Sequence, residues 1–246
     1  MLLICIVLVT ECQLFYAIII KGNIVTDQMM KIQETKSWER ARSPQQKDAR
    51  EKEILQVTRD LLFAHPFDKI SLSMIAKGLS FTRANLYKYF HSKEEICLAL
   101  LADEIFRFGR RFEQLNEAYE GDISLESFLD LWVPNLAAEK HMLQLLSMAG
   151  NILEKNCSDE ILLRAKLTMA MSLQYFQPTL RRFFPSKKEE DYPEMMNILI
   201  ITANGLYSFC GLSTHQKQLL RANGMEGMIH DFETDYRKLL SGYLEI

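Results

Sequence analysis

The stretch SLSMIAKGLSFTRANLYKYFHSK, residues 71–93, has the pattern of two short helices joined by a tight turn. Ser71 and Thr82 each precede a helical run, where a side-chain oxygen can accept a hydrogen bond from an otherwise unpaired N–H group. Residues 78–81 interrupt the pattern between the two runs. The apolar residues predicted to face inward are Leu72, Ile75, Ala76, Leu79, Leu86 and Phe90.

Longer helices are predicted on both sides of this stretch. Before it, apolar residues recur at helical spacing until Pro66, which disfavours a helical conformation of the residue that precedes it. After it, Ser92 followed by Glu95 is the pattern of a capping box, which begins a helix that reaches about residue 119. One longer helix followed by two short ones is the outline of a helix-turn-helix DNA-binding unit.

Composition and periodicity favour an all-α fold for the whole chain. Of its 246 residues 48% are apolar, and only 10 are glycine and 6 proline. Apolar residues recur at helical spacing through nearly the whole length. Beyond the first domain, helices are predicted at residues 124–137, 139–155, 159–183, 190–212 and 223–244, and the segment GLSTHQKQLLRANG, residues 211–224, is interpreted as a break.

Charge is distributed unevenly along the chain, although the net charge is only −3. Residues 31–93 contain 13 lysines and arginines against 7 acidic residues, whereas residues 94–246 contain 15 against 23. A chain that coats nucleic acid or membrane along its full length is therefore not indicated. The basic first third is instead suited to contact phosphates locally.

The cysteines and histidines give no sign of metal or cofactor chemistry. The five cysteines are widely scattered without a CxxC pair, which is typical of free thiols in a reducing cytoplasm. The five histidines are equally dispersed, and the sequence has no nucleophile elbow, glycine-rich phosphate loop or metal triad. We expect no metal, no cofactor, no enzymatic activity and a cytoplasmic location.

The second short helix carries side chains that suit DNA. Arg83, Ala84 and Asn85 lie in its first turn, where arginine can bind guanine O6 and N7 and asparagine can bind adenine N6 and N7. Ser71 and Thr82 begin their helices, and a helix N-terminus attracts a phosphate.

The aromatic and basic residues that follow suit the DNA backbone. Because helical residues are 100° apart, at least one of Tyr87 and Tyr89 must face outward. An outward tyrosine can pack against sugar and phosphate, while Lys88 and Lys93 add positive charge.

The stretch IAKGLSFTRANLYKYFHSKEEI, residues 75–96, resembles the pattern IAKxxGVSxxxLYxYFxSKEEL of the TetR family of bacterial regulators. The resemblance covers roughly residues 48–108, and Ser80 stands where the family has its turn glycine. It implies a DNA-binding domain at residues 47–108 with its motif at about 71–90. The DNA contacts that it implies are Ser71 and Ser73 in the first motif helix, Thr82, Arg83, Ala84, Asn85, Tyr87, Lys88 and Tyr89 in the recognition helix, and Lys93.

The resemblance also implies that residues 109–246 form a helical domain for ligand binding and dimerisation. The expected assembly is a homodimer on a palindromic double-stranded operator, acting as a repressor that an unknown small-molecule effector releases. Candidate pocket residues are Phe106, Trp132, Met142, Met148, Met169, Tyr175 and Phe176. Candidate dimer contacts are Leu199, Ala203, Leu206, Phe232, Tyr236 and Leu239.

The N-terminal extension, residues 1–46, consists of the apolar run MLLICIVLVTECQLFYAIII and a polar arm. The run lacks the charged start of a signal peptide, and it carries Glu11 in its middle, where a carboxylate is costly for a spanning helix. Translation from Met29 or Met30 is one interpretation, and an additional helix or anchor is another. The anchor gives an alternative function, a membrane-tethered helical interaction protein without sequence-specific DNA binding.

Overall fold

A computed structural model describes residues 44–244 of the chain, and this part is helical with no strand. The expectation of an all-α fold is confirmed. The predictions for residues 1–43, which concern the apolar run, the start codon and most of the arm, lie outside the described residues. The helices are α1 (Pro44–Ala64), α2 (Leu72–Lys77), α3 (Arg83–Leu86), α4 (Lys93–Glu117), α5 (Leu125–Ala137), α6 (Lys140–Met148), α7 (Asp159–Ser172), α8 (Gln177–Phe183), α9 (Tyr192–Cys210), α10 (Thr214–Ala222) and α11 (Phe232–Leu244).

The first three helices form the predicted helix-turn-helix outline. Ile54 of α1, Ile75 of α2 and Leu86 of α3 are fully buried against one another, and Phe90 closes the same core after α3. Ser71 caps α2 as predicted, because its hydroxyl accepts a hydrogen bond from the Met74 N–H group at 3.3 Å. These contacts fix α3 at the surface of the domain.

The long helix α4 joins this domain to the rest of the chain. Its N-terminal half packs on α1. Its most extensive contact with another helix is with α7. Towards its C-terminus, Phe108 and Phe112 enter a cluster of aromatic rings with centroids 5.0–6.0 Å apart. The other members of this cluster are Phe128 and Trp132 of α5 and Phe176, which precedes α8.

Tyr236 ties the last helix to the same core. Its hydroxyl accepts a hydrogen bond from Trp132 Nε1 at 3.0 Å and donates one to the Leu199 carbonyl at 2.8 Å. Burial raises the pKa of Tyr236. α11 therefore packs on both α5 and α9 inside one protomer.

Three of the predicted dimer contacts are buried within the protomer, and three are not. Leu199, Ala203 and Tyr236 are at most 1% exposed in the protomer, where α9 and α11 pack on each other. Leu206 and Phe232 are half-buried, and Leu239 is 51% exposed. Only the last three retain surface for a partner.

Several predicted helix boundaries were wrong. The helix expected at 139–155 ends at Met148 and continues as a π-turn (Ala149–Leu153) and a 3₁₀ turn (Glu154–Asn156). The helix expected at 159–183 is broken at Leu173–Tyr175, because Pro178 has no N–H group with which to continue it and instead starts α8.

The segment interpreted as a break, 211–224, contains α10. Ser213 and Gln216 form a capping box at its start, and Gly224 ends it with φ of 68°. The last helix begins at Phe232 rather than at 223, because the Asp231 carboxylate accepts the Thr234 N–H group at 3.0 Å and caps it there.

Within residues 44–244, no single helix is both long and apolar enough to cross a bilayer. The pair α9 and α10, which bends by 70°, passes the same test of length and composition when taken together.

We expect Gly78→Ala to destabilise the DNA-binding domain. A Cβ atom at this position would lie 2.7 Å from Val57 Cγ1, so that α1 and the end of α2 would have to separate. Overpacking of this kind costs about 1–3 kcal/mol. Urea unfolding measures the loss, and Gly150→Ala, where a Cβ meets open space, is the control. Adding Val57→Ala to the Gly78→Ala variant should recover part of the stability.

Tyr236→Phe should also reduce the free energy of unfolding. The change removes the hydroxyl and leaves the buried Trp132 N–H group and Leu199 carbonyl without their shared partner, which costs roughly 1–3 kcal/mol. Thermal unfolding followed by circular dichroism checks this. Tyr243→Phe, at an exposed position on the same helix, is the matched control, and an equal loss in both variants would contradict the role of the Tyr236 hydroxyl.

Candidate DNA-binding surface

The outer side of α3 presents the predicted base-reading residues. Thr82, Arg83 and Ala84 are exposed, and Asn85 is partly exposed, while Leu86 on the opposite side is fully buried. Thr82 occupies the capping position through its backbone, since its carbonyl accepts the N–H groups of Asn85 and Leu86 at 2.9 and 3.2 Å. Helical periodicity thus places Leu86 in the domain core and leaves the predicted base-reading side chains on the outer side of α3.

Arg83 and Tyr87 form a pair on this surface. Arg83 Nη2 donates a hydrogen bond to the Tyr87 hydroxyl at 2.9 Å, and the guanidinium carbon lies 5.6 Å from the centre of the Tyr87 ring. The Tyr87 side chain is 38% exposed. The tyrosine therefore restricts the arginine to a limited range of positions before any DNA is bound.

The two tyrosines of the stretch face different ways. Tyr87 faces outward, whereas Tyr89 is half-buried, with its ring centre 6.3 Å from that of Phe81. Lys88 between them is exposed. The helical spacing required this division but did not identify which tyrosine would be outside.

A carboxylate from α1 holds the turn before α3. Glu53 accepts the Ser80 N–H group at 2.5 Å and the Ser80 hydroxyl at 2.9 Å. In the part of the chain that the structure describes, no residue other than glycine has a positive φ, so the turn is made without the left-handed conformation that favours glycine. Sequence reasoning missed Glu53, because the two residues are 27 positions apart.

Lys93 and the two serines lie beside α3 in different environments. Lys93 Nζ donates a hydrogen bond to the Phe67 carbonyl at 2.9 Å and lies 4.2 Å from the centre of the Phe67 ring. Ser71 is exposed and Ser73 is half-buried. A phosphate contact by Lys93 would share its ammonium group with the Phe67 carbonyl.

The capping box predicted at Ser92 and Glu95 is only half formed. Ser92 Oγ accepts the Glu95 N–H group at 3.0 Å, as a cap does. The Glu95 carboxylate instead accepts the N–H groups of His91 at 2.6 Å and of Ser158 at 3.0 Å. Burial acts to raise the pKa of Glu95, but these N–H groups, together with the Ser158 side chain and the His91 ring, outweigh it and the pKa is lowered from its usual value.

The predicted pocket residues are not brought together around one cavity. Trp132 and Phe176 are buried in the aromatic cluster, and Met148 and Met169 are half-buried. Phe106 is partly exposed and packs edge-on against Tyr175, with ring centres 5.6 Å apart. Met142 lines a cavity of about 200 Å³, whose other walls are Arg59, Phe63, Glu104, Ala138, Glu139, Lys140 and His141.

A larger cavity of about 430 Å³ lies beside α10, a helix that the sequence analysis missed. It is mostly apolar and is lined by Phe209, Leu212, Gln216, Leu219, Leu220, Gly227, Met228 and His230. Among residues 44–244 there is no cluster of three or more histidine, cysteine, aspartate or glutamate side chains that could hold a metal ion.

Comparison with known proteins matches both parts of the chain. Residues 54–100 match the model of bacterial regulatory proteins of the tetR family, and residues 102–245 match the tetracyclin repressor-like C-terminal domain. The HTH-type transcriptional regulator EthR of Mycolicibacterium smegmatis is 36% identical over 75 residues, which are 30% of this chain and 35% of that protein. This chain thus matches about a third of the length of that curated relative.

Among solved structures, the fatty acid degradation regulator FadR from Bacillus halodurans is 15% identical, with a TM-score of 0.37 over 82% of this chain and 96% of that one. The C-terminal family model alone spans more than half of the chain, and the N-terminal model covers the helix-turn-helix motif. The resemblance drawn from residues 75–96 is therefore confirmed. The chain belongs to the TetR family of bacterial regulatory proteins.

Proposed function

We propose that this protein is a sequence-specific DNA-binding transcriptional regulator, a homodimeric repressor that a small-molecule effector releases from a palindromic operator. The observation that carries the proposal is the surface of α3. Arg83, Asn85 and Lys88 face outward there, while Leu86 and Phe90 fix the helix from within. We infer no enzymatic role and a cytoplasmic location.

The residues of this surface divide by chemistry into base and backbone contacts. Arg83 and Asn85 have the donors and acceptors to read guanine and adenine in the major groove, and Ala84 leaves room for close approach. Tyr87 and Lys88, with Thr82, Ser71, Ser73, Tyr89 and Lys93 around them, are suited to sugar and phosphate. The Arg83–Tyr87 hydrogen bond supports this division because it preorganises the arginine.

The dimer surface that we propose is the outer side of α9 and α11. The predicted contacts that retain surface are Leu206, Phe232 and Leu239, and the burial pattern adds Phe209, which is 70% exposed, and Tyr243. Large exposed apolar side chains on neighbouring helices suit a self-complementary contact between two copies. Two recognition helices would then be about 35 Å apart, in successive major grooves.

The candidate residues for the effector site differ in how accessible they are. Phe106 and Tyr175 offer a partly exposed aromatic wall, whereas a ligand at Trp132 or Phe176 has to separate closely packed rings. A ligand that binds the two tilts of α4 unequally changes the separation of the recognition helices, and operator affinity follows.

DNA binding tests the proposal directly. Purified protein is titrated onto a labelled duplex of its own upstream DNA and onto a scrambled duplex, across a salt series. We expect Arg83→Ala to weaken binding to the upstream duplex by about 1–3 kcal/mol and to affect the scrambled one little. Lys88→Ala should weaken both and reduce the salt slope by about one, because it removes a phosphate contact.

Lys187→Ala is the matched control for lost positive charge. This exposed lysine lies between α8 and α9, remote in sequence and structure from α3. It should bind both duplexes like the unaltered protein. Equal binding of the two duplexes by the unaltered protein, or binding that ignores both α3 substitutions, would refute a sequence-specific regulator.

A further inference from the structure

The Glu95 carboxylate is buried between the DNA-binding domain and the regulatory helices. Glu95 as a whole is only 2% exposed. One oxygen, Oε2, accepts the N–H group of His91, which follows the recognition helix, and the other, Oε1, accepts the N–H group of Ser158, which precedes α7. One side chain thus binds two backbone segments that are 67 residues apart in the sequence.

Such an arrangement is costly unless both oxygens are paired. A carboxylate taken out of water loses hydration energy, and hydrogen bonds to fixed N–H groups offset that loss. The lowered pKa of Glu95 agrees with an ionised group that has both partners. Loss of either N–H group therefore leaves a buried charge that is only partly paired. The carboxylate then recovers hydration energy if it moves towards water.

Neighbouring contacts join the same two segments. Ser92 Oγ accepts the Glu95 N–H group and donates a hydrogen bond to the Asn156 carbonyl at 3.0 Å. Arg164 of α7 forms an ion pair with Glu51 of α1 at 2.8 Å, and its guanidinium carbon lies 5.9 Å from the centre of the Phe90 ring. Of these groups, Glu95 alone is both charged and almost fully buried.

We propose that Glu95 is a positioning residue that couples the α6–α7 connection, residues 149–158, to the C-terminal end of the recognition helix. This inference rests on the proposed function and names the route of its regulation. The connection contains the π-turn Ala149–Leu153 and packs on α4. A shift of Ser158 changes what Glu95 can bind, and the His91 N–H group then loses its acceptor.

This route differs from a rigid tilt of α4. Glu95 lies in the first turn of α4, but one of its partners belongs to the α6–α7 connection. A rearrangement of that connection can therefore reach residues 86–91 even when α4 keeps its angle. The recognition helix has four residues, and the turn after it leads directly to His91, so the contact at the His91 N–H group holds the segment that follows the helix.

Ser158→Pro tests the coupling with little disturbance elsewhere. Proline fixes φ near −65° and requires an extended residue before it. Ser158 has φ of −71° and is exposed, and Cys157 before it has φ of −128° and ψ of 160°. The substitution therefore removes the N–H group that Glu95 accepts and places the ring Cδ where the Glu95 oxygen now lies, so the carboxylate must move while the backbone at residues 157 and 158 can keep its dihedral angles. Ser158→Ala retains that N–H group and removes only the side-chain hydroxyl, which also hydrogen-bonds Glu95, so it measures the side-chain contribution separately.

Two readouts separate a coupling role from a merely structural one. Hydrogen exchange of the free protein reports the amides of residues 86–91, and titration onto the upstream duplex reports operator affinity. With the fold verified by circular dichroism, we expect Ser158→Pro to accelerate exchange of these amides and to weaken operator binding, each by roughly three- to thirtyfold. Ser158→Ala, which keeps the N–H group, should change both readouts less than Ser158→Pro does.

A double-substitution cycle isolates the contact itself. Glu95→Gln retains one acceptor oxygen and should reproduce the effects of Ser158→Pro, and the double variant should be no weaker than Glu95→Gln alone. Full additivity, or exchange at residues 86–91 unchanged in Ser158→Pro, would overturn the coupling. Unaltered protein that binds upstream and scrambled DNA equally would overturn the proposed function, and hydrogen exchange would still decide the role of Glu95.

Discussion

The structure depends on the burial of α4 on two sides at once. Near its start, Ile96 and Leu100 are buried in the core of the first domain and its neighbours, and near its end Phe108 and Phe112 belong to the aromatic cluster with Trp132. Burying each such side chain contributes about 1.5–3 kcal/mol. The two halves of the chain consequently share one continuous core, and neither half can reorient without disturbing α4.

Polar contacts at the two ends of α4 set its position more narrowly than apolar packing does. At the C-terminal end, the Arg182 guanidinium donates to the Asn116 and Tyr119 carbonyls at 2.5 Å each, where a helix favours positive charge. At the N-terminal end, where negative charge is favoured, Glu95 binds the N–H groups of two other segments. Apolar contacts tolerate sliding, whereas these directional bonds to backbone groups do not.

The sequence predicted the first domain better than the second for a physical reason. The helices at residues 44–117 are determined by local signals, namely Ser71, Ser92, Pro66 and regular apolar spacing. The predicted dimer contacts Leu199, Ala203 and Tyr236 are buried within the protomer, and an apolar helix face does not reveal from its sequence whether it packs on its own chain or on a partner. α10 was not predicted because none of its residues is buried and it lacks a wide apolar stripe, although Ser213 and Gln216 form a capping box at its start.

At the candidate DNA-binding surface, the local contacts were predicted, whereas the contacts made by residues distant in sequence were missed. A helix of four residues such as α3 cannot be stable by itself, because nucleation costs more than so few hydrogen bonds return. Its core contacts are local and predictable. Its ends are held by two carboxylates from outside the motif helices, Glu53 at the Ser80 N–H group before it and Glu95 at the His91 N–H group after it. The outward orientation of Arg83 and Asn85 thus depends on α1 and α4, and through Glu95 on the connection that precedes α7.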